Sequence, residues 1–181
     1  NEKMAKIKSK KLSDIFEFIE PRSGWNAGFE IGILDENYNI DVEQPSLEDI
    51  LKVNINGEKV DAKFNYQNRT EMSNYEVGSN KTIFIQSINY PYNYINSIWH
   101  EIKIKKDGYL QKLSFDLEEG YDYLRVVWAD KQRQQININK QVDVIKFTAG
   151  DHLLFKSDNI VPRPGFRYTW SEDEEYFKKF L

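Results

Sequence analysis

The sequence predicts a mainly β fold. It reads as an antiparallel β-sandwich, jelly-roll-like or immunoglobulin-like, with an N-terminal and a short C-terminal helix; a flattened barrel is the alternative. Three observations carry this. Many short segments alternate apolar and polar residues, the period-two mark of a half-buried strand. Turn residues separate them at intervals of about eight to twelve positions, the spacing of sandwiches and barrels. Residues 98–117 place alternation on both sides of Asp107-Gly108, a pair suited to a two-residue type I′ hairpin turn.

The chain has 181 residues, 40% hydrophobic and 30% charged, enough for one domain with a proper core and unlike a disordered segment. Residues 1–22 are expected to form a basic amphipathic helical segment packed on or extending from a single sandwich domain, 23–181, whose end, 171–181, is a helix. The net charge of −4 argues against a nucleic-acid partner. Cysteine is absent, so disulfides, thiolate metal sites and Cys nucleophiles are excluded. No apolar run reaches a membrane span and no signal peptide is visible. This is compatible with the cytoplasm or with a processed secreted or surface protein.

Lysines crowd residues 1–11, and Leu12, Ile15, Phe16 and Ile19 then recur at helical spacing until Pro21. Arg22–Gly28 is a loop and Phe29–Leu34 a strand with Phe29, Ile31 and Ile33 on one face. A turn at Asp35–Asn37, a short strand over Tyr38–Val42 and a helical turn or two over Leu47–Lys52 follow. Val53–Val60 reads as a hairpin about Asn56-Gly57, continued by a strand over Asp61–Tyr66. The polar stretch 67–80 is a long loop; Asn68 and Asn80 open glycosylation sequons. Lys81–Asn89 is a strand, and Tyr90-Pro-Tyr-Asn-Tyr94 is an aromatic loop.

In the 98–117 hairpin, Ile104 would face Gln111, Ile102 would face Leu113, and His100 would face Phe115, with Trp99, Glu101, Lys103 and Asp116 outward. Lys103 opposite Lys112 is its one unfavourable pair. Glu118–Gly120 turns into the strand Tyr121–Ala129, with Leu124, Val126 and Trp128 on one face. Gln134–Asn139 and Val142–Phe147 read as an antiparallel pair, and His152–Ser157 as a further strand. Pro162, Pro164 and Gly165 mark Val161–Arg167 as irregular or an edge. Ser171 and Glu174 form a capping box for the terminal helix, with acids in its first turn and Lys178 and Lys179 in its last.

Motifs for chemistry are sparse. His100 falls on the apolar face of its strand and reads as a core residue. With His152 it would make at most a sparse-histidine metal site, short of the convergent ligands such sites use. Glu101-Ile-Lys103 matches half of a metal-dependent nuclease pattern, but also the polar face of any amphipathic strand. Gly24–Gly28 precedes a strand, whereas phosphate cradles precede a helix. No Gly-x-Ser-x-Gly elbow is present.

The aromatics, 14% of the chain, are the functional signal, because Tyr and Trp offer a flat apolar face with a polar tip. The first expectation is therefore a non-catalytic binding module for a glycan or a partner protein. Its contact residues would be Tyr90, Tyr92, Asn93, Tyr94, Trp99 and Asp116. No cofactor is expected. The alternatives are a structural subunit of a larger assembly, docking through its two helices, and a metal-dependent enzyme using Glu101 and Lys103 or the two histidines.

Overall fold

The computed structural model describes residues 11–34, 62–63 and 82–173. After a single 3₁₀ turn, Leu12–Asp14, the described residues form β1 (Phe16–Ile19), β2 (Phe29–Leu34), β3 (Ala62–Lys63), β4 (Thr82–Ser87), β5 (Trp99–Ile104), β6 (Gly108–Asp116), β7 (Tyr123–Val127), β8 (Ile136–Ile138), β9 (Val144–Phe147), β10 (His152–Lys156) and β11 (Gly165–Ser171). These make two antiparallel sheets. Sheet I runs β1-β5-β10-β7-β8 and sheet II runs β3-β2-β4-β11-β6-β9.

Alternation decides which side chains turn inward. In β5, His100, Ile102 and Ile104 are buried while Trp99, Glu101 and Lys103 face out; in β7, Leu124 and Val126 are buried while Tyr123, Arg125 and Val127 face out. The inner faces meet through rings that belong to opposite sheets. Phe155 of β10 lies 5.9 Å from Phe29 of β2 and 5.0 Å from Phe166 of β11, and Phe16 of β1 lies 5.3 Å from Trp170 of β11. Edge-on packing of this kind adds about 1 kcal/mol per pair beyond buried area. The arrangement is sandwich-like, with one shared aromatic core.

From β4 to β11 the chain changes sheet at every connection except β7–β8. The consequence is geometric. The β4–β5, β6–β7, β8–β9 and β10–β11 loops, together with β1–β2, gather at one end of the body. Among the described residues, the β5–β6, β7–β8 and β9–β10 connections gather at the other.

Several expectations are corrected. β5 and β6 do not form a hairpin, because they lie in different sheets: β5 pairs with β1 and β10, β6 with β11 and β9. The Asp-Gly pair serves other contacts. A Cβ on Gly108 would stand 2.3 Å from the Trp170 ring, so glycine there admits the indole, and its φ is not left-handed as a type I′ turn demands. Asp107 Oδ1 accepts the Ala149 N–H at 2.8 Å, tying the β5–β6 and β9–β10 turns together. Likewise β8 pairs with β7 and β9 with β6, so they are not partners of each other.

The expected N-terminal helix is instead the 3₁₀ turn followed by β1, an edge strand of sheet I paired with β5. Leu12, Ile15 and Phe16 are buried as the stripe required, but Phe18 is buried too, and Phe16 with Phe18 is strand alternation. A short helical turn feeding a strand reproduces the spacing of a helix over so few residues. Of Val161–Arg167, expected to be irregular or an edge, only 161–164 is irregular; Gly165–Arg167 opens β11, a central strand buried along its whole length. Ser171 closes β11, and its Oγ accepts the Asp173 N–H at 2.9 Å. The remainder of the expected C-terminal helix lies outside the described residues. So do the lysines of 1–10, the elements expected over 35–60, the rest of the 61–66 strand and the 67–80 loop with Asn68 and Asn80.

Candidate functional site

The five-loop end of the body carries the candidate site. Its loops are bound to one another by polar contacts. Tyr94, in the β4–β5 loop, donates its hydroxyl to Asp122 Oδ2 and accepts the Glu118 N–H at 3.3 Å. The Tyr94 N–H bonds the Arg163 carbonyl at 3.0 Å, and Ser97 N–H bonds the Asp158 carbonyl at 2.7 Å. Asp158 N–H in turn bonds Asp122 Oδ1 at 2.8 Å. Arg163 grips Asp116 through two bonds of 2.9 and 3.1 Å, which join the β10–β11 loop to the end of β6. Such a fork favours the charged guanidinium, and the Arg163 pKa is raised accordingly.

Between these loops lies a cleft of about 580 Å³, whose lining includes Asp116, Glu118, Tyr123, Asn137, Asn139 and Arg163. That volume is in the range of small-molecule sites, about 300–1,000 Å³. Val161 also lines it and is left-handed, with φ of +52°. A β-branched residue is rarely found in that region; strain of this kind collects at binding sites.

Glu118, Asp122 and Asp158 bring one carboxylate oxygen each to within 4.8 Å of the others. Desolvation, the first cause, raises the Glu118 carboxyl above its ordinary value, and the charges of Asp158 and Asp122 raise it further. Asp122 is raised by burial against the opposing pull of its Tyr94 and Asp158 bonds. These three residues are the ones that could hold a cation. Both Asp122 oxygens, however, already accept protein donors.

A second feature lies on the outer face of sheet I at the same end. In register, Trp99, Lys156 and Tyr123 stand side by side across β5, β10 and β7. Trp25, from the β1–β2 loop, packs edge-on against Trp99 at 5.4 Å. The Lys156 ammonium lies 5.2 Å from the Trp99 ring centre, 5.6 Å from Trp25 and 5.7 Å from Tyr123. Arg22 covers Trp99 at 4.6 Å, and Arg125 covers Tyr123 at 4.3 Å while its Nε bonds Asn137 Oδ1 at 2.8 Å. Cations over aromatic faces contribute roughly 0.5–2 kcal/mol each, depending on desolvation. Tyr123 belongs both to this row and to the cleft lining, so the two features are contiguous.

The sequence-derived residues are divided by this geometry. Tyr92, 70% exposed, and exposed Asn93 are free for contact at the loop end. Trp99 is outward, as expected. Asp116 lines the cleft but is engaged by Arg163. Tyr90 packs under the buried Arg167 guanidinium at 4.5 Å. Tyr94 is 1% exposed and belongs to the core, where its hydroxyl organises the loops; burial drives its pKa up. It cannot offer a ring face to a ligand.

The histidines are not brought together. His100 points inward, 3% exposed, and its Nδ1 accepts the N–H groups of Gly28 and Phe29 at 3.1 and 3.2 Å. Burial lowers its pKa to about 4, against a backbone bond with Ile19, so it is a neutral core residue. His152 points out from the same sheet, its Nδ1 3.1 Å from Glu101 Oε2. Glu101 is thus held by His152, and Lys103 stands in register beside His152. Residues missed from the sequence are Trp25, Arg22, Lys156, Arg163 and the carboxylate trio. Only strand order brings them to one end, and no local spacing signals that. No protein-family model matches the chain, and no curated protein matches it.

Proposed function

We propose that this chain is a non-catalytic binding module, a jelly-roll-like β-sandwich that recognises a glycan at its five-loop end. What supports the jelly-roll reading is strand order. β4-β11-β6-β9 faces β5-β10-β7-β8, and the chain crosses between sheets at all but one connection. Lectin domains are among the proteins built this way, a fold-level analogy that leaves function to the site.

The observation that carries the glycan reading is the sharing of Tyr123. Ring faces on the outer row and hydrogen-bonding groups in the cleft, Asn137, Asn139 and Asp116 among them, form one continuous surface. A sugar needs both: a flat apolar surface for its C–H face and convergent polar groups for its hydroxyls. The test is a thermal-shift screen against oligosaccharides, followed by calorimetry on Trp99→Ala and Tyr123→Ala. Loss of binding in both with the melting temperature retained supports the site; unaltered binding in both refutes it.

One observation favours a partner protein instead. Tyr92, Tyr121 (65% exposed), Ile160 and Val161 extend from three loops of the same end. Exposed aromatic and aliphatic side chains of this kind mark interaction surfaces when contiguous. A Tyr92→Ser, Tyr121→Ser double variant that loses a partner but keeps saccharide binding assigns the rim to protein contact. The two remaining readings have less behind them. No helix among the described residues is long and apolar enough to cross a membrane. The docking helices of an assembly subunit are replaced at the N-terminus by β1, and the histidines of a metal enzyme lie on opposite faces of one sheet.

A further inference from the structure

We infer that the saccharide recognised at this end is anionic, with a carboxylate or sulfate ester seated among Lys156, Arg22 and Arg125. This rests on the glycan reading above and names the ligand class for the same site. The first support is charge. The chain as a whole is −4, yet the aromatic row holds three cations, and among the described residues none of the three is paired with a carboxylate. Of the nearby acids, Glu101 is engaged by His152 and Asp116 by Arg163, while Glu118, Asp122 and Asp158 turn toward one another and not toward these cations. Arg125 bonds a neutral amide, Asn137, and no carboxylate among the described residues.

The second support is donor chemistry. A neutral sugar lying on an aromatic ring needs acceptors beside it for its hydroxyl protons. Lysine and arginine only donate. The groups ringing Trp25, Trp99 and Tyr123 are Lys156, Arg22 and Arg125, so the row presents donors and positive charge to whatever covers it. Acceptors begin in the cleft beyond Tyr123, at Asn137, Asn139 and Asp116. An acidic saccharide fits this order. Its anion would sit at Lys156, its ring on Trp99 or Tyr123, and its hydroxyls in the cleft. Single-stranded nucleic acid shares the anion-plus-ring chemistry but is opposed by the overall negative charge, and becomes a control.

The experiment uses the full chain. Affinity electrophoresis and calorimetry at low salt compare polygalacturonate (carboxylate), dextran sulfate (sulfate), dextran (neutral) and oligo(dT). The expected result is binding to a uronate or sulfated polymer at least tenfold tighter than to dextran, weakening as salt is added. The carboxylate and sulfate arms say which anion is read. Lys156→Gln should weaken anionic binding tenfold or more while Lys156→Arg retains it. Should Lys156→Gln lower the melting temperature, Arg22→Gln, in a loop, takes its place. Equal affinity for dextran, or anionic binding unchanged in both Gln variants, overturns the anionic assignment and leaves the glycan reading standing. No binding to any saccharide, neutral or charged, overturns both. Tighter binding to oligo(dT) than to every saccharide overturns the assignment in favour of nucleic acid.

Discussion

The two ends of the body use aspartate in opposite ways. At the three-turn end, Asp151 is 1% exposed and its carboxylate is saturated by donors: Ala129 N–H and Thr148 N–H, both at 2.8 Å, with the Thr148 hydroxyl at 3.2 Å. Its backbone continues the clasp, since Ile104 N–H bonds the Asp151 carbonyl at 2.7 Å and Ala149 N–H bonds Asp107. At the five-loop end, Glu118, Asp122 and Asp158 face one another, Val161 is strained, and a cleft opens beside exposed rings. A carboxylate surrounded by N–H groups stabilises the fold. Carboxylates turned toward each other work against it, and burial together with these neighbouring charges raises the Glu118 and Asp122 values. The difference separates an end built for stability from an end that gives up stability for a surface.

The comparison breaks most visibly at Gly108. Gly108→Ala drives a methyl into the buried Trp170 ring and toward the Ser171 carbonyl, 2.9 Å away. A loss of about 3 kcal/mol is expected, read as a lower denaturation midpoint. An ordinary midpoint would mean that the indole moves aside. Asp151→Ala comes next. It strands two N–H groups that met a charged acceptor, and about 2–3 kcal/mol should go, with saccharide binding intact in the surviving fold. Binding lost along with stability would dissolve the distinction between the ends.

His100 and the loop-end acids respond to pH with opposite signs. His100 is held neutral in the fold with a pKa near 4 against 6.5 when unfolded. Its contribution is complete above pH 6.5 and is lost as pH falls toward 4, because the unfolded chain takes up the proton first. The span corresponds to up to about 3 kcal/mol. A melting profile flat between pH 7 and 4.5, or one unchanged in His100→Asn, contradicts that burial. The loop-end acids have the reverse sign. With folded pKa values above their unfolded ones, Glu118 and Asp122 contribute most at low pH and lose that contribution as pH rises through the raised values. Glu118→Gln should therefore remove its share of that fall and raise the melting temperature at pH 8.

The smallest effect belongs to Val161. Val161→Gly relieves a left-handed β-branched residue, and a gain of about 1 kcal/mol is expected despite glycine's greater unfolded freedom. A loss instead would show that the valine side chain packs productively against the cleft.

Strand positions were legible because burial has a period of two. Leu124, Val126 and Trp128 alternate in sequence, and all three are buried. His100 was legible as a core residue for the same reason. The aromatic signal was half legible: Trp99 faces out, but Tyr94, equally placed in a polar loop, is a core ring whose hydroxyl meets Asp122 from 28 residues away. Pairing was where local evidence misled. Asp107-Gly108 has the composition of a hairpin turn, and only the arrival of Trp170 and Ala149 shows why those residues stand there.

The amino-acid sequence by itself determined the class of fold, most of the strands and, in strands such as β5 and β7, which side is wet. Those follow from alternation and local turn chemistry, which act over a few residues. Tertiary structure alone decided which strands are neighbours and therefore which side chains share an end. Trp25, Trp99, Tyr123 and Lys156 come from four separate segments, and Arg163 meets Asp116 across 47 residues. Their juxtaposition depends on sheet crossings selected by long-range burial of Phe29, Phe155, Phe166 and Trp170, a cooperative property that no short window of sequence contains.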